Sequence, residues 1–384
     1  MRPLHIISTS EGGAALSTIE LIEAMKSLGV RSAAVCGPSG ERSVRARLTD
    51  AVDGALLTSH LYWWNKKTRA SWYKRPAIDV LLGSRSGWGL TSSSRVIEFA
   101  RKVGADIFHT STSMHLEGGL ASRRTGLPHV WHIRELVGRG QPYEYPVAGR
   151  MLGRIFEGLS DVLIANSHVT HSVLQPYVKR NVRLIQNGLN LSGFTHTPSR
   201  SVVRVGMVAS LKSRSKRHDL FIQAAARLRH RRPDISFRIY GGGDKNDGYV
   251  KELRSLMAAH ELDPEAMLAG YVNDPRQIMS EIDLLVHPSS IESFGRIAVE
   301  AMAASLPVVG IRQGGLAEVV EDQRTGILVA PNDPSAIAEA VERLAGNEEL
   351  RTSMGRAGRA RACELFSIER HAERIVEVYE SVRS

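Results

Sequence analysis

Cysteine is almost absent. Only Cys36 and Cys363 occur in 384 residues, far apart and without metal-like spacing. That argues against a disulfide framework or a cysteine metal cage and fits a reducing compartment. Long apolar runs are missing too: none approaches the roughly 20 residues that span a bilayer. The first residues, Met1-Arg-Pro-Leu-His-Ile-Ile-Ser8, hold no long apolar core before Glu11. No signal peptide is therefore expected, and the first strand should start at once. No G-x-G-x-x-G fingerprint follows that strand, which weakens a redox-cofactor reading. No Asp-x-Asp pair occurs; Glu281-Ile-Asp283 is nearest and leads into an apparent strand, so no metal ion is implied. Acids are outnumbered, 40 against 50 bases, for a net charge of +10. No finger, arginine-rich arm or recognised nucleic-acid motif accompanies that excess, so nucleic acid is not the expected partner. An anionic membrane face is the better candidate.

The length suits two domains, and 42% hydrophobic residues exclude a disordered chain. Short apolar runs alternate with amphipathic segments throughout. Strands are expected at 4–7, 32–35, 106–109, 129–133, 161–165 and 182–185, with helices between them, for example 14–28, 93–103 and 172–177. The polar stretch Thr195-His-Thr-Pro-Ser-Arg200 interrupts the pattern and is read as a linker. A second βα series follows, with strands near 204–208, 237–240, 268–272, 283–286, 308–311 and 326–329. Such alternation implies parallel sheets covered on both faces.

The most informative run is Ser290-Ile-Glu-Ser-Phe-Gly-Arg-Ile-Ala-Val-Glu300. It follows a strand and opens a helix, the usual crevice for phosphorylated ligands in an open α/β sheet. A helix N-terminus offers unpaired N–H groups and positive potential to a diphosphate. Glu292 stands at that mouth. Glu300 is about two turns on, roughly 9–12 Å along the axis. The spacing suits a ligand with a sugar at one end, a diphosphate in the middle and a ribose at the other, since each carboxylate can accept two hydroxyl hydrogen bonds. Two glutamates eight apart are also common as solvated surface charges. The apolar neighbours Ile297, Val299, Ala301 and Met302 speak against that for Glu300.

Other candidates are less specific. Gly12 and Gly13, after the first strand, let backbone amides approach a phosphate or simply make a tight turn. Gly241-Gly-Gly-Asp244 follows a strand as a ligand loop or a flexible one. Lys212-Ser-Arg-Ser-Lys-Arg217 is a basic loop that either neutralises a leaving group or is solvated. His132 ends a strand and is a satisfied structural histidine or a site residue. Tyr62 to Arg75 interleaves Trp63, Trp64 and Trp72 with Lys66 and Lys67 and contains no acid. Indole rings and cations suit an anionic membrane surface; a packed insertion and single-stranded nucleic acid are the other readings.

The Glu292–Glu300 run resembles the E-x7-E motif of the family-4 retaining glycosyltransferases. The resemblance extends through Glu300-Ala-Met-Ala-Ala-Ser-Leu-Pro-Val-Val309, Gly314-Gly315, Glu318-Val-Val320 and Thr325-Gly-Ile-Leu-Val329. It includes Gly270-Tyr-Val272 and Asp283-Leu-Leu-Val-His-Pro-Ser289. It covers most of the C-terminal half and is looser in the N-terminal half. It implies the GT-B fold: α/β, two doubly wound Rossmann-like domains facing an interdomain cleft. The expected divisions are 1–197 for the acceptor side, 198–366 for the donor side, and 367–384 for a helix crossing back.

The implied activity is retaining, metal-independent transfer of a sugar from a UDP- or GDP-sugar, with no further cofactor. The implied acceptor is a saccharide or lipid-linked saccharide, in bacterial-type polysaccharide or glycolipid synthesis. The implied location is cytoplasmic, with peripheral attachment to the inner membrane face as the accompanying expectation. His132, Glu292 and Lys216 match catalytic positions. Gly12, Gly13, Gly241, Gly242, Tyr271, Val272, Ser293, Phe294, Gly295 and Glu300 match donor-binding ones. Ser210 falls where the family has an arginine, so Arg214 or Lys212 is expected to substitute. An epimerase or phosphorylase of similar fold, and a non-catalytic basic binding protein, are the alternatives.

Overall fold

The computed structural model describes residues 1–7, 12–37, 42–58, 65–66, 93–138, 143–145, 147, 149–180, 182–198 and 201–383. The chain divides into two compact units. One comprises Met1–Gly188 with Ile368–Ser384, the other Leu189–Ser367.

In the first unit seven strands form one parallel sheet. They are β1 (Pro3–Ile7), β2 (Ala33–Cys36), β3 (Ala55–Leu57), β4 (Ile107–Thr110), β5 (His129–Ile133), β6 (Val162–Ala165) and β7 (Arg183–Leu184). Their order is β3-β2-β1-β4-β5-β6-β7, so the winding reverses between β1 and β4. Every residue of β1, β2, β4 and β5 is buried, as a parallel sheet covered on both faces requires. Helix α1 (Gly12–Ser27) and the C-terminal helix Ile368–Arg383 cover one face, where Ile19, Ile22 and Met25 meet Ile375, Val378 and Tyr379. Burying each such side chain contributes about 1.5–3 kcal/mol, which holds the returning helix to this unit. A helix over 93–103 supplies Val96, Ile97 and Ala100 to the other face.

The second unit holds six parallel strands: β8 (Val203–Val208), β9 (Ile235–Tyr240), β10 (Leu268–Gly270), β11 (Leu284–His287), β12 (Val308–Ile311) and β13 (Gly326–Val329). The order is β10-β9-β8-β11-β12-β13, a doubly wound sheet whose direction reverses between β8 and β11. Helices α2 (His218–Leu228) and Pro334–Ala345 pack on one side, and α3 (Arg296–Ala303) on the other.

Two expectations change. The chain passes from the first unit to the second between Gly188 and Leu189, not after Thr197. Leu189 and Phe194 are already buried in the core of the second unit, so the polar stretch that follows lies within that unit. The helix expected at 172–177 instead spans His168–Leu174, followed by a 3-10 turn at Gln175–Tyr177. Ser167 starts it by accepting from Thr170 N at 3.1 Å, and Pro176 fits only where a new turn begins. Of the aromatic and basic segment, Asn65–Lys66 pairs antiparallel with Tyr143–Glu144. Trp63, Trp64, Lys67 and Trp72 lie outside the described residues, as does the Lys66 side chain. Among the described residues no helix is long and apolar enough to cross a membrane.

Candidate active site

Strand ends at a reversal of winding leave a crevice, because the loops above them run in opposite directions. In the second unit those loops are 209–217 after β8 and 288–295 after β11. They are tied together by backbone: Ser290 donates its N–H to the Ser215 carbonyl at 2.8 Å, and its hydroxyl to the same oxygen at 3.1 Å. Lys216 closes a 3-10 turn, Arg214–Lys216, before Arg217 turns left-handed at φ 57° and α2 begins. This brings the Lys216 ammonium to 3.1 Å from Glu292 Oε2. His287 Nε2 lies 3.2 Å from the same oxygen. Burial would raise the Glu292 carboxyl. The His287 hydrogen bond and the Lys216 charge outweigh it and pull the group down to about 2.

The Glu292 turn is held from behind. Gly315 N donates to the Glu292 carbonyl at 2.9 Å. Gly314 has φ +62°, and a Cβ there would stand 2.6 Å from that carbonyl oxygen. Only glycine satisfies both the dihedral and the approach. Gly295, at φ 105°, then starts α3 without a side-chain cap. Ser293 is half-buried, and Phe294 and Gly295 are buried. Glu300, one turn into the helix and 3% exposed, accepts from Arg296 Nε at 2.8 Å. The buried charge is thus paired within its own helix.

Gly241 packs so closely that a Cβ would lie 1.9 Å from the Ala209 carbonyl oxygen. Leu211 N donates to the Gly242 carbonyl at 3.0 Å, so the glycine loop and the basic loop run side by side. Tyr271 is exposed beside Gly242, while Val272 packs into the core. Arg214 is not with Lys216. It forks Glu252 at 2.5 and 2.7 Å and lies 4.6 Å over the Tyr249 ring. Ser210 and Lys212 are exposed.

His132 is where a strand-end residue should be, the second-last position of β5, but it has no exposed surface. It belongs to a buried seam. His5 of β1 stands in register with His109 of β4, ring centroids 5.1 Å apart. His132 follows at 5.7 Å from His109, and His371 of the C-terminal helix at 5.8 Å from His132. Tyr379 touches His109 Nδ1 at 2.5 Å, and the Gln186 carbonyl fixes His371 Nδ1 at 2.8 Å. Neither ring nitrogen of His5 or His132 has a hydrogen-bond partner among the described residues. Burial and the nearby Arg134 cation push His5 and His371 down to about 3. They also hold His132 well below the usual range, and for His109 the neighbouring His5 adds to burial. All four imidazoles are neutral near pH 7. At the other reversal of winding, α1 starts at Gly12, with Gly13 exposed in its first turn.

Two functional candidates escaped the sequence reading. His287 stood only as a strand-end residue, and that position was its one signal. The seam's signal was a histidine on each of three short strands, His5, His109 and His132, that proved adjacent. Among the described residues no cluster of three or more His, Cys, Asp or Glu has the geometry to hold a metal.

Residues 11–192 match the profile Glycosyltransferase Family 4, and residues 202–361 match Glycosyl transferases group 1. The glycosyltransferase MJ1178 of Methanocaldococcus jannaschii is 26% identical over 282 residues, 73% of this chain and 76% of that one. A D-inositol 3-phosphate glycosyltransferase of Streptomyces avermitilis is 30% identical over 288 residues, 68% of this chain and 62% of its own length. Another, from Pseudarthrobacter chlorophenolicus, matches over only 36% of its length. Among solved structures, Alr3699/HepE of Anabaena, in complex with UDP and glucose, superposes with a TM-score of 0.80. It is 21% identical, over 99% of this chain and 100% of that one, a likeness of fold. Both halves of the sequence match, and both sheets wind as the GT-B fold requires: the chain belongs to family 4 of the glycosyltransferases.

Proposed function

We propose that the chain is a retaining glycosyltransferase that moves a sugar from a nucleotide-diphosphate donor to an acceptor hydroxyl. The observation that carries this is the Lys216–Glu292–His287 cluster at the switch point, with Glu300 two turns along the same segment. The bond between the anomeric carbon and the phosphate oxygen breaks, and its electron pair leaves with the phosphate. The acceptor oxygen bonds to that carbon from the same face and gives its proton to the departing phosphate oxygen. Lys216 and the first amides of α3 meet the growing leaving-group charge, so no metal is required. Glu292, at about 2, is too weak a base to take the acceptor proton near neutral pH. It would hold donor-sugar hydroxyls and stabilise the oxocarbenium-like carbon.

Glu300 would take the ribose diol, and Gly241, Gly242, Tyr271 and Val272 would border the base. His132, a catalytic candidate by its match, has no exposed surface from which to reach a donor sugar. Arg214 drops out of the donor set, because Glu252 and Tyr249 hold it elsewhere. UDP and glucose in the HepE structure favour a UDP-hexose donor. Relatives named for inositol 3-phosphate favour a polyhydroxylated acceptor. A lipid-linked saccharide at an anionic membrane remains the reading that would employ the segment from Tyr62 to Arg75. Thermal shift with UDP-, GDP- and ADP-sugars tests the donor: a ligand at 100 times its Kd adds about 2.7 kcal/mol. Proton NMR of the product's anomeric signal tests retention. A chain stabilised by no nucleotide sugar would overturn the proposal.

A further inference from the structure

Arg296 breaks a local rule. It opens α3, whose first turn carries no acid, so its cation sits at the positive end of the helix dipole. Its pairing order, Arg at i and Glu at i+4, is the weaker of the two on a helix. Helix stability therefore does not account for it. What it does hold is Glu300, by a 2.8 Å bond from Nε to a carboxylate that is 3% exposed. A carboxyl buried that far without a cation tends to keep its proton, and a protonated carboxyl loses acceptor capacity. A cis diol needs two acceptor oxygens on one ionised group.

We propose that Arg296 is a positioning residue of the nucleotide site, fixing the Glu300 carboxylate in the plane and charge state that grips both ribose hydroxyls. The inference rests on the reading of Glu300 as the ribose ligand. Arg296 lies midway along the chain between Glu292 and Glu300, four residues from each. It also pays, through its misfit with the dipole, for an orientation that Glu300 alone would not keep. Lysine in its place would keep the charge and lose the planar guanidinium that sets the carboxylate plane.

The test uses whichever of UDP, GDP and ADP binds the full chain most tightly, together with its 2′,3′-dideoxy analogue. Calorimetry gives both dissociation constants for wild type, Arg296→Gln, Arg296→Lys, Glu300→Gln and the double variant Arg296→Gln/Glu300→Gln. Wild type should prefer the ribonucleotide by about ten- to hundred-fold, as a hydroxyl bonded to a charged group implies. Arg296→Gln should cut that preference to about three-fold or less, with Arg296→Lys between the two. The double variant should be no worse than Glu300→Gln, because both changes remove one grip. Binding of the 2′,3′-dideoxy analogue, which offers Glu300 no hydroxyl, should stay within about two-fold, which a general loss of structure would not spare. If wild type does not discriminate, the ribose reading of Glu300 fails, and this inference with it. If wild type and Glu300→Gln differ as expected while Arg296→Gln keeps the full preference, the positioning role alone is overturned.

Discussion

Acid should unfold the first unit before the second. The perturbation is a fall in pH from 8 to 4.5. In the folded chain His5, His109, His132 and His371 are buried and held neutral, His5 and His371 down to about 3. Unfolded, each would take a proton near pH 6.5. The folded values are lowered, so folding favours the neutral form. Stability is whole above about pH 6.5 and is lost as pH falls from there toward 3. The slope is about 1.4 kcal/mol per pH unit for each proton bound only by the unfolded chain. At pH 5 that is about 2 kcal/mol each for His5 and His371, about 4 kcal/mol together, with His109 and His132 adding in the same direction, against the 5–15 kcal/mol typical of a domain. Arg134 next to the seam and Arg374 beside His371 worsen the case for a second cation. His129, on the opposite face and lowered to about 4, adds a fifth group.

The assay is built into the sequence. All five tryptophans, Trp63, Trp64, Trp72, Trp88 and Trp131, fall in the first unit, so their emission reports on it alone. Urea melts followed by emission at stepped pH should give at least two protons taken up on unfolding between pH 6 and 5. Far-ultraviolet dichroism, which sees both units, should retain its second-unit share at the pH where emission has shifted. His5→Leu removes an imidazole whose two nitrogens lack partners among the described residues, so it should cost little at pH 8 and lower the proton count by about one. A first unit whose stability is flat from pH 7 to 5 would refute the reasoning. So would a His5→Leu variant with an unchanged slope.

Other expectations are direct. Glu300→Ala should weaken both the bare nucleoside diphosphate and the donor, whereas Glu292→Ala should harm turnover more than nucleotide binding; equal losses in calorimetry would refute the division. Activity should survive EDTA, and Lys216→Ala should remove most turnover with the melting temperature little changed; loss with EDTA that manganese restores would remove the metal-free part. Gly314→Ala should cost turnover through the Glu292 turn, with about 1–3 kcal/mol of strain at a positive φ; an active, equally stable variant would dissociate the turn from the site. The chain should sediment with anionic but not zwitterionic vesicles, less so with Lys66→Glu and Lys67→Glu; a wild type that ignores anionic lipid at low salt would make the loop a packed insertion.

The central strands were legible because each is a short apolar run between turn residues, and burial on both faces leaves no alternation to mistake. β3 was missed because Ala55–Leu57 is three residues long and half exposed at the sheet edge. The break between units was misplaced because polarity was taken for a boundary. Thr195 to Arg200 is polar, yet the chain has already entered the second core at Leu189 and Phe194. At the site, Glu292, Glu300 and Lys216 were legible as a motif, but their partners were not. Arg214 lies two residues from Lys216, and a 3-10 turn sends the two side chains to different acids. Glu252, which takes Arg214, comes from the helix Gly248–Ala259, and no local pattern announces it.

Burial acts in opposite directions on the two candidate catalytic groups. Glu292 loses water but gains Lys216 and His287, and the partners win, so the charge is fixed. His132 loses water and gains only other imidazoles and a cation, so neutrality is fixed. Neither group changes charge between pH 5 and 8. Lost activity in mild acid should therefore follow the tryptophan signal of the first unit, not a titration at Glu292. The lowered carboxyl contributes stability above about pH 4.5 that is lost only as pH falls through about 2. A chain whose turnover falls with an apparent pKa near 6 while emission and dichroism stay native would contradict both assignments, since it would require a titrating group that neither environment allows.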